Sequence, residues 1–384
     1  VREPALQFVP QRYDSLQVLR ILGAVLVVTY HFGAVEVQYG HDRLISPLFT
    51  YGCLVIDAFF IVSGFLMGTL YRATPARVGA IGDFVARRLA RIYPAYWLTT
   101  AAVFAVWTLS GRRLLSHLVG ADPHLVSSLA LIPTTSRPVL EVAWTLLHEV
   151  YFYFGFAVLL ALKPSWRVTG AVAWAVAVVV GYGLLRSPQS HPGLALMVSP
   201  YTLEFILGVG LGWWAPRMPR HAPRWSLAGA ALTWVMAMAL TGFSPERKMA
   251  LPEAVRIALD GVPAFLLVYG LIAADLKRLW RCPSSLVAAG DWSYALYLIH
   301  TVVIGGVCLI WRPLSRPGLV DNALVYGTSL GLSLALSALF WVRLERPATR
   351  FVGRLLRARW PVGLTLTPTP VDGPAIAPAR GVAG

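Results

Sequence analysis

The sequence predicts an all-α fold: a polytopic membrane helix bundle of about ten transmembrane helices, N-in and C-in. Three observations predict it. Of 384 residues, 57% are hydrophobic and only 13% are charged, roughly half the charged share of a soluble domain. Apolar runs long enough to cross a bilayer recur along the whole chain. The basic residues sit mostly between those runs and favour alternate connections. Together these exclude an ordinary soluble globule, a disordered chain and a disulfide scaffold.

In order, the spans are read at 15–33, 51–71, 92–109, 143–162, 168–186, 200–215, 224–241, 255–274, 289–311 and 322–343. Each has roughly the 17–25 residues that a bilayer requires. The run Leu125–Ile132 is apolar but too short to span, so it reads as a re-entrant or interfacial piece. No internal repeat is visible, which weighs against an inverted-repeat transporter. With the N-terminus inside, the cytoplasmic segments hold 22 Arg and Lys and the outer segments ten. That bias sets the orientation. Residues 1–14 form a cytoplasmic N-terminal segment and residues 15–347 the transmembrane domain. Residues 361–384, rich in Pro, Ala and Gly, form a disordered cytoplasmic tail.

The net charge of +15 comes mainly from arginine, which supplies 30 of the 33 basic residues. Their placement beside the spans suits membrane lipids with anionic headgroups. It does not make the basic footprint that nucleic acid requires, and no nucleic-acid partner is expected. Cys53, Cys282 and Cys308 are far apart, with no CxxC or Cys/His cluster, so neither a metal site nor a disulfide is expected. The first apolar run carries Arg20 and His31 and lacks a small-residue cleavage site, so it does not read as a cleavable signal peptide.

Charges inside spans are costly and mark functional positions. Arg20 and His31, eleven residues apart, share one helix face about 16 Å apart along the axis. Snorkelling of each to its own headgroup layer is the competing reading. Arg88 and Arg91, at i and i+3, can clamp a phosphate or simply mark the cytoplasmic side. Glu149 lies about six residues into span four, suited to acid–base chemistry or to pairing with an arginine of another span. Tyr294, Tyr297 and His300 form a polar edge at a spacing of three. Asp57, Glu204 and Asp260 add acids to spans two, six and eight. Ser63-Gly64-Phe65 makes a small-residue notch where helices approach or a ligand enters.

These pieces, in order, resemble the acyltransferase-3 family of integral membrane acyltransferases. They are Leu16-Gln17-Val18-Leu19-Arg20 leading to Tyr30-His31, then Asp57-Ala58-Phe59-Phe60 through Ser63-Gly64-Phe65-Leu66. Arg87-Arg88-Leu89-Ala90-Arg91-Ile92-Tyr93-Pro94 and Trp144-Thr145-Leu146 through Glu149 to Phe152-Tyr153 follow. Glu204-Phe205 with Gly208, Trp292-Ser293-Tyr294 through His300, and Glu345-Arg346-Pro347 complete the set. The opening and the stretch before Trp144 look most like the bacterial exopolysaccharide acetyltransferase branch. Two departures stand out. Tyr13-Asp14-Ser15-Leu16-Gln17-Val18-Leu19-Arg20 replaces the frequent Leu-Asp-Gly-Leu-Arg, and Leu147-His148 replaces Asn-Tyr before the span-four Glu.

The resemblance implies O-acyl transfer from acyl-CoA, commonly acetyl-CoA, to a hydroxyl of a carbohydrate or glycan acceptor, possibly lipid-linked. The enzyme would sit in a bacterial cytoplasmic (inner) membrane. The acceptor could instead be a macrolide or other secondary metabolite. Carried over residue by residue, His31 is expected to act as general base or to carry the acyl group itself. Arg88 and Arg91 are expected to hold the CoA phosphates. Arg20 would steer the pantetheine arm or the thioester, and Glu149 would orient His31. Asp57, Ser63, Tyr153, Tyr297 and His300 are the expected substrate-binding residues. The competing class is a transporter or flippase of a lipid-linked sugar, which intramembrane Arg, His and Glu also suit. A membrane scaffold does not explain so many charges in the spans.

Overall fold

The computed structural model describes residues 12–40, 43–109, 124–136, 138–185, 191–215 and 222–359. The expected tail 361–384, and residues 1–11 of the N-terminal segment, lie outside the described residues. Every regular element among them is helical. In chain order the α-helices are α1 (Asp14–Gly40), α2 (Leu54–Leu70), α3 (Val78–Leu109), α4 (Leu125–Ala130), α5 (Trp144–Ala161), α6 (Arg167–Leu184), α7 (Pro192–Met197) and α8 (Tyr201–Trp214). They continue as α9 (Ala222–Leu240), α10 (Pro245–Met249), α11 (Glu253–Lys277), α12 (Ser284–Ala289), α13 (Ser293–Trp311), α14 (Leu319–Phe340) and α15 (Arg346–Arg359). A π-turn, Trp341–Glu345, joins α14 to α15.

Among the described residues, nine helical stretches are long and apolar enough to cross a membrane, and the chain is a multi-pass membrane protein. All ten expected spans are helices. The seventh, α9, is not one of the nine: it has 19 residues but opens on Ala222-Pro223-Arg224, so its apolar run starts late. Two boundaries differ from expectation. α3 starts at Val78 instead of residue 92, so Arg88 and Arg91 lie well inside one continuous helix. The final helix runs beyond residue 347 to Arg359.

α2 and α8 approach through glycines on both sides. Gly64 and Gly68 lie against the backbone oxygens of Phe205 and Val209; Gly208 and Gly212 lie against those of Ile61 and Phe65. A Cβ at any of the four would come within 2.0–2.6 Å of a main-chain oxygen. Two small-x-x-x-small rows therefore interlock, the arrangement that lets lipid-embedded helices gain close packing. Gly64 of the expected notch serves this contact, and its neighbour Ser63 faces a cavity.

The short run Leu125–Ile132 yields α4, laid against α3. Its last carbonyls would be left without intrahelical donors. Three side chains from one stripe of α3 supply them: Tyr96 Oη to Ser128 O at 2.7 Å, Trp97 Nε1 to Leu129 O at 2.8 Å, and Tyr93 Oη to Ala130 O at 3.0 Å. α1 extends past its expected end because buried Glu36 accepts the backbone N–H groups of Leu44 and Ile45, each at 2.9 Å. Leu44 and Ile45 are thus held against the helix.

Candidate active site

α1, α2, α3, α5 and α13 enclose a cavity of about 130 Å³. A single water needs only about 10–15 Å³ by this measure, so a chain of several heavy atoms fits. One wall is apolar, made by Ile56, Phe59, Phe60, Val62, Leu66 and Met67 of α2 with Ile92 and Leu146. The polar wall carries Arg20, Arg88, Arg91, Glu149, Tyr153, Ser63, Ser293, Tyr294 and Tyr297. Sequence separations of up to 277 residues are thereby closed.

The helical register explains who faces inward. Arg88 and Arg91 are one turn apart on α3, as are Glu149 and Tyr153 on α5, and Tyr294 and Tyr297 on α13. Pro94, just after Arg91, removes an N–H from the α3 ladder, the one that would serve Ala90 O. The Tyr294 hydroxyl meets the same turn of α3, donating to Ile92 O at 3.0 Å. Glu149 accepts a hydrogen bond from the Tyr153 hydroxyl. Tyr297 donates to Val142 O at 2.9 Å and meets Thr145 Oγ1 at 2.8 Å.

The arginines are under-used by the protein itself. Arg88 is buried, yet its one hydrogen bond reaches Tyr71 Oη at 3.4 Å, its guanidinium lies 5.2 Å from that ring, and its Nε has no acceptor. Arg20 is half-buried and reaches Gln17 Oε1 at 3.2 Å. Glu345, buried in the π-turn, lies within electrostatic range of Arg91 and Arg20. In the sequence Glu345 belongs to the Glu345-Arg346-Pro347 motif, with no expected place in the site. Three guanidiniums and the Glu149 carboxyl around one cavity are an arrangement that could receive an anionic ligand.

His31 does not line this cavity. It is linked to the lining residue Tyr297 through His300, whose ring centroid is 6.0 Å from that of Tyr297. His300 is fully buried, and its Nε2 lies 3.2 Å from His31 Nδ1. Both histidines also turn Nδ1 to a carbonyl one helical turn back: His31 to Val27 O at 2.9 Å, His300 to Leu296 O at 3.0 Å. A carbonyl only accepts, so both Nδ1 atoms carry hydrogen. His300 Nε2 is then an acceptor for the shared His31 Nδ1–H, and the lone pair of His31 is left on Nε2. That is the tautomer a general base needs, fixed by a second-layer partner. The hydrogen bonds of His31 thus run to Val27 and His300, while that of Glu149 comes from Tyr153.

Asp57 also lies away from the cavity lining. It is buried with Glu204 of α8 and Asp260 of α11, around Lys248 of α10. Lys248 Nζ is 2.7 Å from Asp260 Oδ2, and the Glu204 carboxyl faces that of Asp57. Among the described residues no group of His, Cys, Asp and Glu could hold a metal ion. His148, adjacent to Glu149, is held by Trp144 O at 3.0 Å and Ser199 Oγ at 3.3 Å inside an aromatic cage.

The described site therefore brings a cavity lined by three arginines beside a pair of hydrogen-bonded histidines. Known proteins similar to this chain are as follows. The chain is 31% identical over 312 residues to the exopolysaccharide production protein ExoZ of Rhizobium meliloti (strain 1021), covering 79% of this chain and 91% of the relative. It is 27% identical over 400 residues to acyltransferase MdmB of Streptomyces mycarofaciens, covering 95% and 98%. It is 24% identical over 333 residues to nodulation protein 10 of Rhizobium leguminosarum bv. viciae, covering 79% and 84%. No solved structure matches. The acyltransferase domain matches residues 13–342, and with that span the chain belongs to the acyltransferase-3 family of membrane acyltransferases.

Proposed function

We propose that the protein is an acyl-CoA-dependent O-acyltransferase of a bacterial cytoplasmic membrane, with both termini cytoplasmic. It moves an acyl group, acetyl above all, to a hydroxyl of a carbohydrate acceptor such as an exopolysaccharide unit. The carbohydrate assignment is supported by the likeness to a protein of exopolysaccharide production. The observation that carries the reading is the cavity itself. Its arginine-lined wall suits the phosphates of the donor, its apolar wall suits the pantetheine arm, and Tyr297 leads from it to the His300–His31 pair.

In this mechanism Arg88 and Arg91 hold donor phosphates, and the buried Arg88 Nε gains the acceptor it lacks. Arg20 steers the thioester end of the donor. His31 Nε2 takes the proton of the acceptor hydroxyl as its oxygen attacks the thioester carbonyl. The C–O bond forms, the C–S bond breaks, and the proton passes to the leaving thiolate to give free CoA. His300 holds the His31 ring through Nδ1 and is a positioning residue. Glu149, bonded to Tyr153, balances the arginines and orients the lining side chains.

The test is an incubation of membranes containing the protein, or its His31→Ala variant, with radiolabelled acetyl-CoA and native glycan. Label is expected in a carbohydrate or lipid-linked fraction. The variant should lose about 10²–10⁴-fold in turnover, the usual contribution of a general base. If turnover does not depend on His31 with any of several acyl-CoAs, the base assignment fails. A flux of lipid-linked sugar without acyl-CoA would then favour the transport reading.

A further inference from the structure

The cavity has two distinguishable ends. Its lining runs along α2 from Ile56 to Met67, about 16 Å, and along α5 from Thr145 to Tyr153, about 12 Å. Arg88 marks one end. It bonds Tyr71, which follows α2, and the rings of Tyr71 and Tyr153 both flank Phe84, one turn before Arg88 on α3. Tyr297 marks the other. Its hydroxyl meets Thr145 Oγ1 at 2.8 Å and donates to Val142 O at 2.9 Å. Those bonds tie α13 to the start of α5 and fix the ring in place.

The chain that receives the Tyr297 hydroxyl leaves no room beyond it. Val139, Leu140, Val142 and Ala143 are each at most 1% exposed, and none of them lines the cavity. One turn further along α13, His300 is fully buried and also stands outside the lining. Close-packed interiors of this kind resist even one added methylene. A ligand whose phosphates sit at the arginines therefore meets a closed wall at Tyr297, on the side where α13 continues to the histidine pair.

We propose that the Tyr297 ring, tethered to Thr145 and Val142, is the stop that limits the transferred acyl group to a short chain, with acetyl accommodated and longer chains turned away. This rests on the reading of the protein as an acyl-CoA-dependent transferase. Tyr297 is then a specificity-determining residue, and the wall it makes acts on the acyl end of the donor and not on its phosphates.

The test measures CoA thiol released by the full-length protein in membranes with native glycan, given acetyl-CoA, butyryl-CoA or hexanoyl-CoA. One added methylene against a filled pocket is worth roughly 10-fold or more, so wild-type kcat/KM should favour acetyl-CoA over butyryl-CoA by at least about 10-fold. Tyr297→Ala should cut that ratio by about 10-fold and bring hexanoyl-CoA into use. A ratio of two donors in one preparation does not depend on how much of the variant folds. Should Tyr297→Ala give no turnover at all, Tyr297→Leu should cut the ratio in the same direction by less. Met67→Ala removes bulk at the Arg88 end and should leave the ratio within about two-fold, whatever it does to the rates. An unchanged ratio in the Tyr297 variants, or an equal cut in Met67→Ala, overturns the stop. Wild-type protein that uses acetyl- and butyryl-CoA equally overturns the stop alone, whereas wild-type protein that uses no acyl-CoA overturns the transferase reading and the stop with it.

Discussion

Arg167 and Arg88 are both buried, at 4% and 5% exposure, and both lie in helices of one bundle, yet their surroundings are opposite. Arg167, at the start of α6, donates to four backbone carbonyls: Thr74 O at 2.5 Å, Arg72 O at 3.0 Å, Leu160 O at 3.3 Å and Leu162 O at 3.4 Å. It ties the turn after α2 to the end of α5. Arg88, on α3, has one long bond to Tyr71 and an unpartnered Nε, and it faces a cavity. Burial alone does not separate an arginine that serves the fold from one whose donors are open to a ligand. The fraction of its donors already used does, because an unsatisfied buried donor is costly unless a ligand completes it.

The sharpest way to break this comparison is to remove both side chains in turn. Arg167→Met should cost on the order of 4 kcal/mol, since several buried carbonyls lose their donor at once. Thermal unfolding in detergent would read this as a large drop in midpoint, with donor affinity of the surviving folded fraction unchanged. Lys248→Met belongs on the same side, because it leaves Asp260 buried without its 2.7 Å partner. A loss of about 3–5 kcal/mol is expected, largely restored by adding Asp260→Leu. Arg88→Gln should do the reverse: a 10- to 100-fold weaker acetyl-CoA affinity by calorimetry, with the unfolding midpoint held or raised. Equal loss of stability in Arg88→Gln and Arg167→Met would abolish the distinction. The smallest effect is expected from Tyr71→Phe, which keeps the ring over Arg88 and removes only a 3.4 Å contact. Less than about 1 kcal/mol of stability should be lost, and donor affinity should stay within a few-fold.

The spans were legible because lipid imposes one demand on every crossing segment, a continuous apolar run, and each exception is conspicuous. Arg20, Arg88, Arg91 and Glu149 stood out for that reason, and the cavity brings them together. The start of α3 was not legible, since residues 78–91 carry too many charges to read as a span although they continue its helix. Nor was the place of Asp57. An acid six residues before the Ser63 notch reads as a site residue, but the α2 register turns it toward Glu204 and Asp260 instead. The His31–His300 contact joins residues 269 apart, and no local spacing encodes such a pairing. Gly64, Gly68, Gly208 and Gly212 were visible as residues, while their mutual fit depends on which helices become neighbours.

That glycine fit has a genetic consequence. At an ordinary helix contact, an enlarged residue on one side can be accommodated by a smaller one opposite, and suppressor mutations record the pair. Here the obstacle at each of the four positions is main-chain oxygen, which no substitution can trim. Variants enlarged at Gly64 or Gly208 should therefore yield no suppressors in the facing helix, however large the library, and any revertants should be true reversions to glycine.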